Sequence, residues 1–173
     1  MNTNEKILDE IVGFSIDIQR YEATVQNEVL SKLKTLENKV IKELRESGVA
    51  DTIRKQTQQR RLRELLSRTR ETISEAYKDI AKGQLNTLKE VALLSELHVI
   101  SSVNRSLGAV IVKPSLSKTM INTIASETLI EGAPTKVWWS RRTGEFQSRF
   151  ADTVRMGMMQ GLPTDQIVAS LRG

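Results

Sequence analysis

The chain has 173 residues, of which 39% are hydrophobic and only 4% aromatic, and it contains no cysteine. This composition disfavours a β-sandwich, excludes disulfides and cysteine metal sites, and favours a helical protein of a reducing compartment. The sequence contains no run of 18 apolar residues, so no transmembrane helix is predicted. The N-terminus lacks the pattern of a signal peptide. The net charge of +5 favours a polyanionic neighbour such as nucleic acid.

The first predicted helix covers about residues 4–47 and carries one apolar stripe, with steps of three and four residues. Its members are Ile7, Ile11, Phe14, Ile18, Tyr21, Val25, Val29, Leu33, Leu36, Val40 and Leu44. Ser47-Gly48 predicts its end, because glycine adopts the left-handed conformation at low cost. A helix of this length does not bury its stripe alone and requires neighbouring helices.

The second predicted helix starts after Asp51, a plausible N-cap with Thr52 and Ile53 in the first turn, and its apolar pattern continues to Leu107. Gly83 lies within this pattern. The sequence leaves two interpretations open, a short turn at Gly83 or a glycine inside one continuous helix.

The first half of this helix forms a basic face. Its members are Arg54, Lys55, Arg60, Arg61, Arg63, Arg68 and Arg70. Such a face predicts contacts to a phosphate backbone that do not read base sequence. The alternative is a solvated face, or one that pairs with Glu37, Glu43 and Glu46 on the preceding helix.

Residues 1–108 are thus predicted to be a long-helix region, 109–117 a linker and 118–173 a small helical unit. Pro114 prevents helix continuation in the linker. Ser117 or Ser115 caps a short helix through Thr128, and residues 131–134 form a second break. Helices capped by Thr135 and Thr164 follow, separated by a turn at Gly161, and Gly144 is a possible interruption of the first.

The aromatic residues of the small unit are the candidates for partner binding. They are Trp138, Trp139, Phe146 and Phe150. Consecutive helical residues point about 100° apart, so Trp138 and Trp139 do not both face one core stripe. One tryptophan is expected to pack inside, and the other to cover a neighbouring helix or to anchor a partner.

The sequence contains no recognisable catalytic constellation. His98 is the single histidine, and no phosphate-binding loop, dinucleotide fingerprint, HExxH or EF-hand motif occurs. We therefore expect a protein that is not an enzyme and that uses no cofactor or metal.

The end of the chain carries an Ile130-Glu131-Gly132 segment, the tryptophan pair and a run from Phe146 to Gly173. Together they resemble the phage head morphogenesis family, the minor head proteins of the phage Mu F type. The matching residues are Trp139, Phe150, Val154, Gly157, Gly161, Asp165, Ile167 and Leu171. Upstream of residue 130 the chain shares with the family only its predicted helical character and no motif.

The resemblance implies a virion protein that takes part in head morphogenesis, DNA packaging or DNA ejection as part of an oligomeric assembly. Its implied partners are portal or other capsid proteins, with packaged double-stranded DNA as a further candidate. Its implied location is the head interior or portal region, and the host cytoplasm during assembly. Family members usually continue beyond the Leu-Arg-Gly segment, so the resemblance implies a short form or a portion of a longer product.

The sequence thus predicts an all-α fold with long, partly antiparallel helices and a small C-terminal helical unit. Two rivals to the head-protein hypothesis remain. One is a non-specific nucleic-acid-binding protein that uses the face from Arg54 to Arg70, and the other is a helical scaffold or adaptor without nucleic-acid contact.

Overall fold

Two helices of 45 and 53 residues provide most of the structure. The computed structural model describes residues 3–52 and 55–172, without the side chains of Thr3, Asn4, Lys6 and Ile7. Its helices are α1 (Thr3–Ser47), α2 (Lys55–Leu107), α3 (Lys118–Glu127), α4 (Thr135–Met159) and α5 (Thr164–Arg172). Strands β1 (Leu129–Ile130) and β2 (Ala133–Pro134) pair antiparallel. The predicted all-α fold with long helices and a small C-terminal helical unit is confirmed.

The turn between α1 and α2 forms where the sequence predicts it. Gly48 has a φ of 55°, the left-handed conformation that glycine adopts without a Cβ clash. Asp51, the predicted N-cap, lies in the turn that precedes α2. Ile53 and Arg54 lie outside the described residues.

Both glycines with an ambiguous role lie inside continuous helices. Gly83 is part of α2, where its carbonyl accepts a hydrogen bond of 3.2 Å from the Thr87 hydroxyl. Gly144 likewise lies within α4. A helical glycine costs about 1 kcal/mol relative to alanine, which the rest of a long helix tolerates.

The predicted break at residues 131–134 is a tight β-hairpin. Glu131 and Gly132, its two central residues, both have positive φ angles, of 50° and 77°, as a type I′ turn requires. Thr135 follows as the first residue of α4, and its buried hydroxyl donates to the Thr128 carbonyl at 2.9 Å. Thr135 therefore fastens the hairpin to the end of α3, a role different from the predicted N-cap. The cap of α3 itself is Ser117, one of the two candidates that the sequence offered.

The chain divides into two compact units, each assembled from segments that are distant in sequence. Unit 1 comprises Met1–Val29 and Ala81–Lys136, and unit 2 comprises Leu30–Ile80 and Val137–Gly173. The predicted segments 1–108, 109–117 and 118–173 follow chain order instead.

Unit 2 contains most of the buried apolar side chains. Those from α1 and α2 are Leu36, Val40, Ile41, Leu44, Leu65, Ile73, Tyr77 and Ile80, and those from α4 and α5 are Trp139, Phe150, Val154, Ile167 and Val168. The α1 and α2 segments run antiparallel here, because Lys32 pairs with Asp79 at 2.7 Å while Glu43 accepts from Thr69 and Thr72. In this unit, the apolar stripe of α1 is therefore buried by neighbouring helices, as a helix of this length requires.

Ring stacking and polar side-chain contacts join the α1 and α2 segments of unit 1. The rings of Phe14 and His98 stack with centroids 4.1 Å apart, and the Tyr21 hydroxyl donates to the Glu90 carboxylate. The hydroxyl of Ser102 donates to Glu10 at 2.8 Å. This hydrogen bond lowers the pKa of Glu10, and Arg105, which also donates to Glu10, adds to the effect.

The predicted linker contains no helix or strand and is tied to α2 through Glu96. One oxygen of Glu96 accepts from the backbone amides of Ser115 and Leu116 at 2.6 and 2.8 Å. These two amide hydrogen bonds lower the pKa of Glu96. The carboxylate thereby positions the chain just before Ser117 caps α3.

Candidate functional site

Two of the aromatic residues predicted to bind a partner, Trp139 and Phe146, contact Tyr77 in unit 2. The ring of Tyr77 meets Trp139 edge-on at 5.9 Å and Phe146 at 6.0 Å. Trp139 and Phe150 are only 8% and 3% exposed, so both side chains pack in the unit and are not available to touch a partner in this fold. Burial among these rings raises the pKa of Tyr77.

Trp138 lies at the edge of this group of aromatic rings and is half-buried. It meets Trp139 edge-on at 4.8 Å, and the Arg142 guanidinium lies 5.0 Å from its ring centroid. As expected for consecutive helical residues, one tryptophan is in the core and its neighbour reaches the surface. The docking role stays a prediction for Trp138 and for the half-buried Phe146.

The glycines of the family-like motif shape the corner between α4 and α5. A Cβ on Gly157 would lie 2.5 Å from Cγ1 of Ile167, so only glycine permits this approach of the two helices. Gly161 has a φ of 69° in the turn between them. Val154 and Ile167 are completely buried at the corner. The positions that carry the resemblance are therefore largely those that this corner needs for packing.

The structure separates the predicted basic face into residues with different roles. Arg61 donates to the Gly48 carbonyl at 3.2 Å and to the Thr52 hydroxyl at 2.7 Å, and so closes the turn between α1 and α2. Arg60 pairs with Glu64 on its own helix at 3.7 Å. Lys55 and Arg68 are exposed, and Arg54 lies outside the described residues.

The acidic residues predicted as partners of this face contact other groups. Glu37 pairs with Arg172 at 3.3 Å, and Glu46 pairs with Lys42 at 3.7 Å. Glu43 accepts hydrogen bonds from Thr69 and Thr72, at 3.1 and 2.6 Å respectively. The predicted pairing with Glu43 thus involves hydroxyl groups of α2 and not its arginines.

Arg63 and Arg70 line a cleft between α2 and α4, which we call the arginine cleft. It has a volume of about 270 Å³, and its lining residues are Arg63, Leu66, Ser67, Arg70, Ile73, Gln147, Phe150, Ala151 and Arg155. Buried Ile73 and Phe150 form its floor, whereas the three arginines are exposed. No carboxylate is among the described residues that line it. The cleft therefore presents three permanent positive charges over an apolar base.

Local hydrogen bonds hold the two walls of the arginine cleft together. The side-chain amide of Gln147 in α4 donates to the Arg70 carbonyl at 3.0 Å and to the Ser74 hydroxyl at 2.9 Å. Arg155 pairs at 3.4 Å with Asp152, one turn earlier on α4. Both members of this pair are mostly exposed, so the ion pair is weak and an anion can compete for the guanidinium.

Sequence reasoning did not find Arg155 as a member of this site. It is 85 residues after Arg70 and lies in a segment whose signal was helical packing. The i, i+3, i+4, i+7 spacing of Arg63, Leu66, Ser67 and Arg70 does indicate one helical face. Only the packing of α4 on α2 reveals which residue of the other helix completes it.

Other chemistry is sparse in the described part of the chain. No group of three His, Cys, Asp or Glu residues able to hold a metal occurs among the described residues. His98 stacks on Phe14, and its buried Nε2 atom has no hydrogen-bond partner among the residues that the structure describes. Within residues 3–52 and 55–172, no helix is both long and apolar enough to cross a membrane.

No family model matches the chain, and no curated protein or solved structure shows significant similarity to it.

Proposed function

We propose that this chain is a minor head protein of the phage Mu F type, a non-catalytic virion component that docks on the portal and capsid assembly. The observation that carries the proposal is the sequence pattern of residues 130–173. Gly157 and Gly161 of this pattern occupy positions where the fold requires glycine, which supports interpreting the pattern as one structural module. On this proposal the chain works in the head interior or portal region.

The exposed apolar surface of unit 1 supports a role in assembly. Ten large apolar side chains on α1 and α2 are at least one-third exposed in this unit. They are Leu8, Ile11, Val12, Ile16, Leu93, Leu94, Leu97, Val99, Val103 and Leu107. Large apolar surfaces on a protein commonly mark contacts with other molecules, and a portal or capsid subunit is the occupant that this proposal requires.

Copurification with the portal protein encoded in the same genome tests the proposal. We expect the chain to elute with the portal oligomer after coexpression. Trp138→Ser should weaken this association about tenfold or more if Trp138 anchors the contact, because tryptophan hot spots contribute about 2 kcal/mol or more. Met159→Ser, at the highly exposed end of α4, is the matched control and should leave copurification unchanged.

Circular dichroism of both variants shows whether the helices are retained. A chain that remains separate from portal and capsid fractions, and is missing from purified particles, would contradict the head-protein proposal and favour an unrelated helical adaptor. Portal and terminase genes beside the reading frame would support the proposal independently.

A further inference from the structure

We propose that the arginine cleft binds the phosphodiester backbone of double-stranded nucleic acid without reading its sequence. The site combines Arg63 and Arg70 from α2 with Arg155 from α4. It differs from the basic face of α2 alone, because it includes a second helix and leaves out Arg61, whose guanidinium closes the turn after α1. The inference does not depend on the head-protein function.

Arginine suits this role because its planar guanidinium donates two parallel hydrogen bonds to one phosphate group. Arg63, Arg70 and Arg155 are all exposed, and no carboxylate lines the cleft among the described residues. Asp152, the ion-pair partner of Arg155, is 72% exposed, so its interaction is screened by solvent. The guanidinium groups therefore remain available to an incoming anion.

The shape of the arginine cleft favours backbone contacts over contacts to bases. Its aromatic residue, Phe150, forms part of the floor and is almost completely buried, so it offers no open face on which a base could stack. Gln147 uses its amide hydrogens on Arg70 and Ser74 and is thus committed to joining the two helices. What the cleft offers to a ligand is positive charge, the property on which phosphate binding depends.

The surrounding charge supports a polyanionic ligand. Unit 2 contains 18 lysines and arginines against 11 aspartates and glutamates, whereas unit 1 contains 8 against 10. The excess of positive charge thus belongs to the unit that holds the arginine cleft. A field of this sign draws a polyanion toward the cleft at low ionic strength.

Fluorescence anisotropy with a labelled duplex of mixed sequence, about 20 base pairs long, tests the inference on the full chain. Arg70→Gln combined with Arg155→Gln should weaken binding about tenfold or more in low salt. The slope of log K against log salt should become shallower by about 0.9 for each phosphate that the variant no longer neutralises. The matched control, Arg60→Gln combined with Arg68→Gln, removes the same charge from exposed positions outside the cleft and should have a clearly smaller effect.

Arg155→Lys retains the charge and removes the planar fork. We expect it to keep most of the salt dependence and to reduce the affinity in part. We expect each variant to retain the fold, because all the substituted side chains are exposed. Thermal unfolding of each variant checks this.

Equal weakening by the cleft and control variants would overturn the assignment of this site, as would absence of duplex binding by the wild-type chain. Isothermal titration with inorganic phosphate shows whether the cleft binds a free phosphate ion or requires the phosphate groups of a duplex. Binding of free phosphate without binding of the duplex would also overturn the proposal. Duplex binding without portal association would support the arginine cleft as a binding site and contradict the head-protein function. Portal association without duplex binding would support the head-protein function and contradict the assignment of the cleft.

Discussion

The two units use the same pair of long helices in opposite ways. In unit 2, α1 and α2 bury their stripes against each other and against α4 and α5, and residues such as Leu44 and Leu65 are completely buried. In unit 1, the described apolar residues of the α1 and α2 segments are all at least partly exposed. The buried apolar residues of this unit lie instead in α3 and the hairpin, and they are Ile121, Ala125 and Ala133. Helical periodicity alone therefore does not decide whether a stripe becomes a core.

The difference follows from the number of helices available in each unit. Two helices packed side by side each leave part of their apolar face uncovered, and unit 2 covers this face with α4 and α5. Unit 1 has the short α3 and its hairpin, and it relies on interactions such as those of Glu10 and Glu96. Stability should accordingly be concentrated in unit 2, and surface available for assembly in unit 1.

The largest expected effect separates a core leucine from an exposed one on the same helix. Leu65→Ala should lower the free energy of unfolding by about 2–5 kcal/mol, because Leu65 is fully buried in unit 2. Leu97→Ala should change it by less than about 0.5 kcal/mol, because Leu97 in unit 1 is 50% exposed. Urea denaturation followed by circular dichroism measures both. Similar decreases would mean that Leu97 is covered in solution by another molecule.

A second comparison uses two glycines of α4. Gly157→Ala should destabilise the protein by about 1–3 kcal/mol, because the added Cβ meets Ile167 at 2.5 Å. Gly144→Ala should be neutral or stabilise by up to about 1 kcal/mol, because its position is open and alanine is the better helix former. Thermal unfolding gives both values. Equal behaviour of the two variants would contradict the close packing of the α4–α5 corner.

His98→Phe tests whether unit 1 contains a polar group that weakens it. Phenylalanine retains the stack on Phe14 and removes the buried Nε2 atom, which has no hydrogen-bond partner among the described residues. We expect a gain of about 1 kcal/mol in the free energy of unfolding, since an unpaired buried polar atom is costly. Phe14→Ala, which removes the stack, should lower stability instead. A decrease in stability for His98→Phe would show that the imidazole has a partner in solution.

The smallest expected effect is local and concerns the segment before α3. The folded-state pKa of Glu96 is lowered by the amides of Ser115 and Leu116. Its stabilising contribution is therefore fully present above the unfolded-state value of about 4.3 and is lost as the pH falls through the folded-state pKa. The amide resonances of Ser115 and Leu116 in NMR spectra should report this titration.

Glu96→Gln should abolish that pH dependence and leave the core of unit 2 unchanged. Glu22→Gln, an exposed site on α1, is the control and should leave the titration in place. Amide resonances that keep their pH dependence in Glu96→Gln would show that another acid holds the segment.

Local sequence was sufficient wherever a backbone requirement or a helical period decided the outcome. The stop at Gly48 and the turn at Gly161 follow from the conformational preferences of single residues, and the cap of α3 was limited to Ser115 or Ser117. The hairpin at Glu131–Gly132 was not found, because a Gly-Ala-Pro run indicates a break without showing what pairs across it. Thr135 was misassigned for the same reason, since its partner carbonyl belongs to Thr128, seven residues earlier.

The chemistry of the candidate site depended much more on tertiary structure. The basic run of α2 was visible from composition, and a solvated or phosphate-binding face was the natural interpretation of it. The separate roles of Arg61 and Arg70, and the participation of Arg155, depend on which helix packs against which face. The same holds for Trp138 and Trp139, since their angular separation of about 100° requires different environments without saying which one is buried.

The sequence by itself determined that the chain forms long helices, that the first one ends at Ser47-Gly48, and that positive charge is in excess, because these depend on residue order and composition. It did not determine whether Gly83 interrupts the second helix. Only the tertiary structure decided which parts of the stripes are buried and that three arginines line one cleft. Helix formation is governed by interactions within a few residues, whereas burial and the arginine cleft arise from segments that are far apart in the sequence. Arg63 and Arg155 of the cleft, for example, are 92 positions apart.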